Sequence, residues 1–323
     1  MSHAIRVHAV GGPEALQWES VDVPAPGAGE VQLEHRAIGL NFIDVYHRTG
    51  LYPLPLPFIP GQEAAGVVTA LGPGVTTLKV GQRVAYAGLP GAYSQHRNAP
   101  ADRLIALPDG IDDVTAAAVM LKGMTAEFLL RRCRPVGPCD TLVFHAAAGG
   151  VGQLACPWAK HLGARVIGVV GSASKVALAK AAGCDDVIAL DTEDLVARVK
   201  SLTGGRGAQV VYDSVGKDTL LQSLDCLAPR GTLVSFGQSS GKPPPLELTQ
   251  LGGLRSLFVT RPSLFAYIAS RAELEASAAA LFDVLARGVV TAAPPRTFPL
   301  ERAADAHRAL ESRQTTGSVV LRP

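Results

Sequence analysis

The chain has 323 residues, more than one ordinary core holds and enough for two domains. Its apolar fraction is 47% and its formal net charge only +2, so it offers no electrostatic case for nucleic acid or an anionic membrane. The first residues lack the apolar run of a signal peptide, and no stretch of about 18 unbroken apolar residues appears; a compact cytoplasmic protein is the default expectation.

Residues 1–120 alternate short apolar runs with Gly and Pro punctuation. The runs Ala4 to Val10, Val31 to Leu40, Gly66 to Leu71 and Arg83 to Ala87 are separated by turns such as Pro24 to Gly29 and Gly72-Pro73-Gly74. This pattern predicts β-rich, irregular structure. Asp113 then opens a long helical pattern that runs to Leu130, with Asp112 or Asp113 as its cap.

From Thr141 the rhythm changes. An apolar strand (Thr141 to Phe144) meets a glycine-rich turn (Gly149, Gly150, Gly152), then a helix from Gly150, then a second strand (Arg165 to Val170). That is one βαβ unit with the spacing of a dinucleotide-binding site. Glycines let the backbone turn sharply and approach a pyrophosphate, and the helix start aims free N–H groups at it. Helix 174–182, strand 186–189, helix 194–202, strand 209–212, helix 217–227, strand 231–236 and a strand near 256–259 follow. Such alternation predicts an α/β doubly wound parallel sheet, with ligands at the carboxyl ends of its strands. The strand ends Asp213 to Gly216 and Phe236 to Gly241 are polar, and fit either a ligand edge or plain turn chemistry.

An acid is expected after the second strand to hold the ribose 2′-hydroxyl of NAD. The chain places Gly171, Ser172, Ala173, Ser174 and Lys175 there instead. A 2′-phosphate is tolerated, so the expected cofactor is NADPH, with Lys175 as its candidate partner. The last residues read as helices 271–287 and 302–312 and a strand 318–321, a tail expected to return to the N-terminal domain. The five cysteines form no CxxC pair and read as buried thiols. His145, at a strand end, reads as a satisfied core histidine.

Several segments are shared with a known family. They are AIGLNFIDVYHRTGLYP (37–53), GQEAAGVV (61–68), LKGMTAEFLL (121–130), HAAAGGVG (145–152), VVYDSVG (210–216), LVSFGQSSG (233–241), VTRPSL (259–264) and ESRQTTGS (311–318). In these the chain resembles the medium-chain dehydrogenase/reductase superfamily, and within it the zinc-free NADPH:quinone oxidoreductases related to zeta-crystallin. The resemblance implies a GroES-like catalytic domain over 1–123, completed by 261–323, and a Rossmann NADPH-binding domain over 124–260. It implies an active cleft between them and a homodimer or tetramer.

It also implies roles. Asn41, Tyr46, Gln62 and Thr125 would surround the nicotinamide and its ribose, and Gly150 and Val151 would meet the pyrophosphate. Gly171 and Lys175 would hold the adenosine end and its 2′-phosphate, with Arg313 nearby. Ser214, Phe236, Gly237, Gln238 and Ser239 would line the cofactor's other side, and Tyr52 would edge the substrate pocket. Zinc relatives place metal ligands where this chain has Asn41 and Gln62, both poor zinc ligands, so no metal is expected. Many relatives carry a tyrosine after the third strand; here Leu190 replaces it and donates no hydrogen bond. The expected reaction is reduction of a quinone by NADPH, with Tyr46 and Tyr52 as candidate proton donors. Asp44 is read as structural. The alternatives are an NADPH-dependent enal or enone double-bond reductase, and a non-catalytic NADPH- or RNA-binding crystallin-like protein. The partner expected is thus a small quinone or conjugated carbonyl, with no nucleic acid and no membrane.

Overall fold

A computed structural model describes residues 2–312 and 315–323. The chain forms two compact units. One comprises 1–124, 268–286 and 292–323, the other 125–267 and 287–291.

The first unit opens with β1 (Ser2–Arg6) and β2 (Gln17–Val21), an antiparallel pair. Then come β3 (Glu30–Leu40), helix α1 (Phe42–Arg48), β4 (Glu63–Leu71), β5 (Arg83–Ala87), β6 (His96–Pro100), β7 (Ile105–Ala106) and α2 (Asp113–Phe128). β3 alternates buried and half-buried residues along its first half and is almost wholly buried in its second. Its inward residues Val31, Leu33, Ile38 and Leu40 join Val68, Val84 and Tyr86 in one core. The chain passes between units inside α2, at Met124 and Thr125.

The second unit alternates strand and helix. Its elements are β8 (Thr141–His145), α3 (Gly152–His161), β9 (Arg165–Val170), α4 (Val176–Ala181), β10 (Asp186–Ala189), α5 (Leu195–Leu202), β11 (Ala208–Asp213), α6 (Leu220–Asp225), β12 (Leu227–Ser235), β13 (Phe258–Thr260) and α7 (Leu264–Tyr267). The strands pair in the order β10-β9-β8-β11-β12-β13, every pairing parallel. Successive units wind outward in opposite directions from β8 and β11, which makes the gap between those two strand ends the switch point of a doubly wound fold. Apart from half-buried Arg165, β9 is buried along its whole length, as a strand covered by helices on both faces must be.

The chain then returns to the first unit with α8 (Arg271–Ala286), β14 (Arg296–Pro299), α9 (Ala303–Glu311) and β15 (Val319–Arg322). β15 pairs antiparallel with β3 and parallel with β14, so the last strand of the chain extends the sheet that β3 begins. The fold is therefore a Rossmann-type parallel sheet plus a separate β-rich unit.

Several local readings differ from the structure: Cys139 is exposed and Cys133 half-buried rather than buried, and three readings concern helices. α1 lies in a stretch read as irregular β. Asn41 is extended (φ −135°, ψ 159°) and Asp44 accepts from its backbone N–H, so an N-x-x-D cap starts a helix there. The helix after the glycine turn begins at Gly152 rather than Gly150. The helix expected over 217–227 is only Leu220–Asp225, because the Asp213 carboxylate draws the preceding residues into a turn.

Candidate functional site

The β8–α3 turn is shaped by what its glycines lack. A Cβ on Gly152 would lie 2.5 Å from the Ala147 carbonyl oxygen and 2.6 Å from that of Ala146. Even alanine collides there, so α3 is able to start this close to the strand end only with glycine. Ala146 takes a positive φ of 52°, and its carbonyl accepts from Gly149 N–H at 2.8 Å. Gly150 and Val151 are half-buried at the mouth of α3, where the helix dipole and free N–H groups favour a phosphate. The turn fits a pyrophosphate.

The ends of β11 and β12 are locked together. Phe236 N–H donates to the Asp213 carbonyl at 2.8 Å, and Ser239 N–H to the Ser214 carbonyl at 3.1 Å. A Cβ on Gly237 would meet Ser214 O at 2.7 Å. Ser214, Phe236, Gly237, Gln238 and Ser239 are therefore brought into one edge, and Gln238 Oε1 accepts from Arg261 at 3.0 Å. Arg261 was not among the expected site residues. The Asp213 carboxylate accepts from Val215 N–H, Gly216 N–H, Thr219 and Ser223, which makes it the organiser of its own turn. Ser223 also meets His145 Nε2 at 2.9 Å. His145 is held neutral by burial, and its Nδ1 has no partner.

At the end of β9, Gly171 faces open space and Lys175 sits half-buried at the start of α4. The loop carries no acid of its own, yet one reaches it. Both oxygens of Asp191 lie 3.1 Å from Ala173 N. Thr125 is buried on the last turn of α2. Arg313 lies outside the described residues.

In the first unit, α1 gathers the expected residues. Tyr46 is buried, and Tyr52 packs edge-on against it with ring centres 5.2 Å apart. Tyr52 N–H donates to the Tyr46 carbonyl at 3.0 Å, which fixes the chain after the helix. Gln62 is buried with its Nε2 3.4 Å from His47 Nδ1, and burial lowers the His47 pKa.

Asn41 is clamped from two sides. Its Nδ2 donates to Glu63 Oε1 at 2.7 Å, and its backbone N–H donates to Asp44 Oδ2 at 2.9 Å. Glu63 is fully buried, at the start of β4. It also accepts from Lys122 Nζ at 2.9 Å and from Leu121 N–H at 2.6 Å. A Cβ on Gly39 would sit 2.2 Å from Glu63 Oε1, so β3 must be bare there to admit the carboxylate.

Behind Asp44 runs a chain of donors. The Arg48 guanidinium donates to His307 Nδ1 at 3.1 Å, which leaves the proton on Nε2 to reach Tyr93 Oη at 3.0 Å. The Tyr93 hydroxyl in turn donates to Asp44 Oδ2 at 3.2 Å. Burial, reinforced by Arg48, drops the His307 pKa to about 3, so the ring is neutral. Burial raises Asp44 to about 7, opposed by the Asn41 and Tyr93 donors and aided by nearby Glu63. Its Oδ1 has no partner. Arg48 is anchored outside by Glu311, with bonds of 2.7 and 2.9 Å. Lys122, Tyr93, His307 and Arg48 escaped the sequence reading because their partners are distant along the chain, and for the same reason Glu63 alone, one carboxylate, did not read as a site.

This donor set suits zinc poorly. The amides of Asn41 and Gln62 turn N–H groups toward their neighbours, and Glu63 is consumed by three donors. Among the described residues no group of three His, Cys, Asp or Glu is arranged for a metal ion. Nor is any helix among them long and apolar enough to cross a membrane.

Residues 27–109 match the model of the alcohol dehydrogenase GroES-like domain, and residues 150–282 that of the zinc-binding dehydrogenase family. The chain is 49% identical to a quinone oxidoreductase of Pseudomonas aeruginosa, over all of both chains. It is 47% identical to a 2-haloacrylate reductase of a Burkholderia species, over all of this chain and 99% of that one. The solved structure of Escherichia coli quinone oxidoreductase complexed with NADPH is similar at a TM-score of 0.97 and 49% identity, covering 99% of this chain and 100% of that one.

Proposed function

The chain belongs to the quinone oxidoreductase family of the medium-chain dehydrogenase/reductase superfamily, and on that premise we propose that it is an NADPH-dependent quinone reductase working without zinc. The observation that carries the reading is the β8–α3 turn, a glycine cradle with the shape a pyrophosphate needs, in a chain alike over its full length to an NADPH-bound quinone oxidoreductase. Bound NADPH would supply the hydride, which together with one proton would convert a quinone to the hydroquinone.

The protein's share is binding and orientation. Gly150 and Val151 present N–H groups to the pyrophosphate, Gly171 and Lys175 hold the adenosine end, and Arg313 is a further candidate there. Ser214, Phe236, Gly237, Gln238 and Ser239 form one wall for the cofactor. Asn41, Tyr46, Gln62 and Thr125 serve the nicotinamide and its ribose. Tyr52, half-buried beside Tyr46, is the candidate proton or hydrogen-bond donor to the substrate oxygen. The clamp on Asn41 supports a fixed amide in place of a metal. We assign the catalytic domain to 1–123 with 261–323 and the NADPH domain to 124–260.

The chain is proposed to act in the cytoplasm as a homodimer. β13 is the edge strand of the parallel sheet, with Phe258 62% exposed and the preceding Leu254 99% exposed. An apolar open edge of this kind is the sort of surface a second copy covers.

A second reading, reduction of an activated carbon–carbon double bond, is favoured by the likeness to 2-haloacrylate reductase. One assay separates the two: NADPH oxidation with 1,4-benzoquinone, larger quinones, 2-alkenals and 2-haloacrylates. Turnover of quinones with none of the alkenes supports the first; the reverse pattern replaces it with the second.

A further inference from the structure

An acid that a reading of β9 alone misses reaches the loop after β9 from the end of β10. β10 runs parallel to β9, with Ala189 opposite Val170, and Leu190 N–H donates to the Val170 carbonyl at 3.0 Å. This register carries the next residue, Asp191, alongside Ser172 and Ala173. Its two carboxylate oxygens share the Ala173 N–H, each at 3.1 Å. Ala173 opens the tight turn Ala173–Lys175 from which α4 departs, and the Ser172 and Ser174 hydroxyls bond each other across it at 2.8 Å.

We propose that Asp191 determines cofactor specificity, holding down the preference for NADPH over NADH. The inference rests on the reading that the adenosine ribose binds at Gly171 and Lys175. A 2′-phosphate placed there needs backbone N–H groups and a cation. Lys175 supplies the cation, but the Ala173 N–H is already spent on a carboxylate, and that carboxylate repels a dianionic phosphate. The same carboxylate is an acceptor suited to a 2′-hydroxyl, the task that an acid at this edge performs for NAD. Lys175 and Asp191 thus pull the preference in opposite directions. Leu190, in place of a hydrogen-bonding side chain, adds nothing to the phosphate side.

The test is the dissociation constant of NADPH, NADH and 2′,5′-ADP for the wild-type chain, Asp191→Ala, Asp191→Asn and Lys175→Ala, at low and high salt. Asp191→Ala is expected to tighten NADPH and 2′,5′-ADP by about tenfold at low salt while NADH stays constant or weakens. Asp191→Asn keeps an acceptor for Ala173 N–H, so the loop holds its shape, and it moves the ratio the same way by about threefold. A ratio of NADPH to NADH affinity that stays within about twofold of wild type in both variants overturns the role of Asp191. Lys175→Ala reports on the premise separately. If it weakens 2′,5′-ADP while the Asp191 variants change nothing, only the Asp191 proposal fails. If it leaves 2′,5′-ADP untouched, the adenosine end lies elsewhere and both fail.

Discussion

The β8–α3 turn and the network around Asn41 each hold a short segment in one conformation, by opposite means. At the turn the control is an absence: Gly152 has no Cβ, and backbone oxygens 2.5 and 2.6 Å from where one would stand allow nothing larger. Around Asn41 the control is an accumulation of charge. Glu63, Lys122, Asp44, Arg48 and Glu311 are tied through amide, imidazole and phenol groups from α1, β4, α2 and α9. The first device is sterically stiff and indifferent to pH. The second depends on every partner being present, because a buried charge without its counterpart is costly.

The largest expected effect breaks the second device. Lys122→Met leaves the Glu63 carboxylate buried beside neutral donors only, and should destabilise the first unit by about 3–5 kcal/mol. Adding Glu63→Gln should recover most of that. Chemical denaturation midpoints of the single and double variants check both, and a double variant no better than the single would mean the ion pair is not the source. At the turn, Gly152→Ala should cost about 1–3 kcal/mol from overpacking. It should also weaken NADPH at least about tenfold, since the helix start shifts away from the phosphate. Titration of the folded variant with NADPH reads this; unchanged affinity would show that the turn is not the cradle.

A finer comparison uses Asn41 itself. Asn41→Ala should lower kcat/KM by about 10- to 100-fold, the scale of losing a positioned hydrogen bond or two. If Glu63 acts by holding that amide, Glu63→Gln should lower kcat/KM in the wild-type background and do little more in Asn41→Ala. Additive losses would assign Glu63 to the fold alone.

The networks also differ in pH response. Asp44, pushed up to about 7 by burial, titrates far above its unfolded value. The folded state then holds a proton that the unfolded state has released, so stability falls as pH rises from about 4 to about 7 and levels off above. Asp44→Asn should flatten this slope; an equally steep slope in the variant would place its source elsewhere. The smallest effect is expected for Tyr52→Phe. Loss of one hydrogen bond of about 0.5–1.5 kcal/mol predicts a kcat reduced about two- to tenfold. Full turnover would remove Tyr52 as donor.

Much of the second unit was legible because its signals are local. A strand, a glycine cluster and a helix follow one another within residues 141–161, and the spacing alone places the turn. Even there the reading stopped at β9 and missed Asp191, which arrives through the register of β10. In the first unit α1 was missed although Asn41 and Asp44 carry the cap pattern, since a helix of seven residues between strands shows no amphipathic period. Asp44 was read as structural, and the structure gives its Oδ2 two donors, Tyr93 and the Asn41 N–H.

The strand–helix alternation of the second unit, the glycine turn after β8 and the poor zinc donors at 41 and 62 are properties of the sequence by itself. They depend on residues near one another in the chain, where backbone sterics and side-chain chemistry act directly. Only the tertiary structure decided which groups those residues meet. Asn41 reaches Glu63 across 22 positions, Tyr93 reaches His307 across 214, and Arg48 reaches Glu311 across 263. No periodicity encodes such pairings. They exist because packing the sheets removes these side chains from water, and each buried polar group must then find its partner in whatever element lies against it.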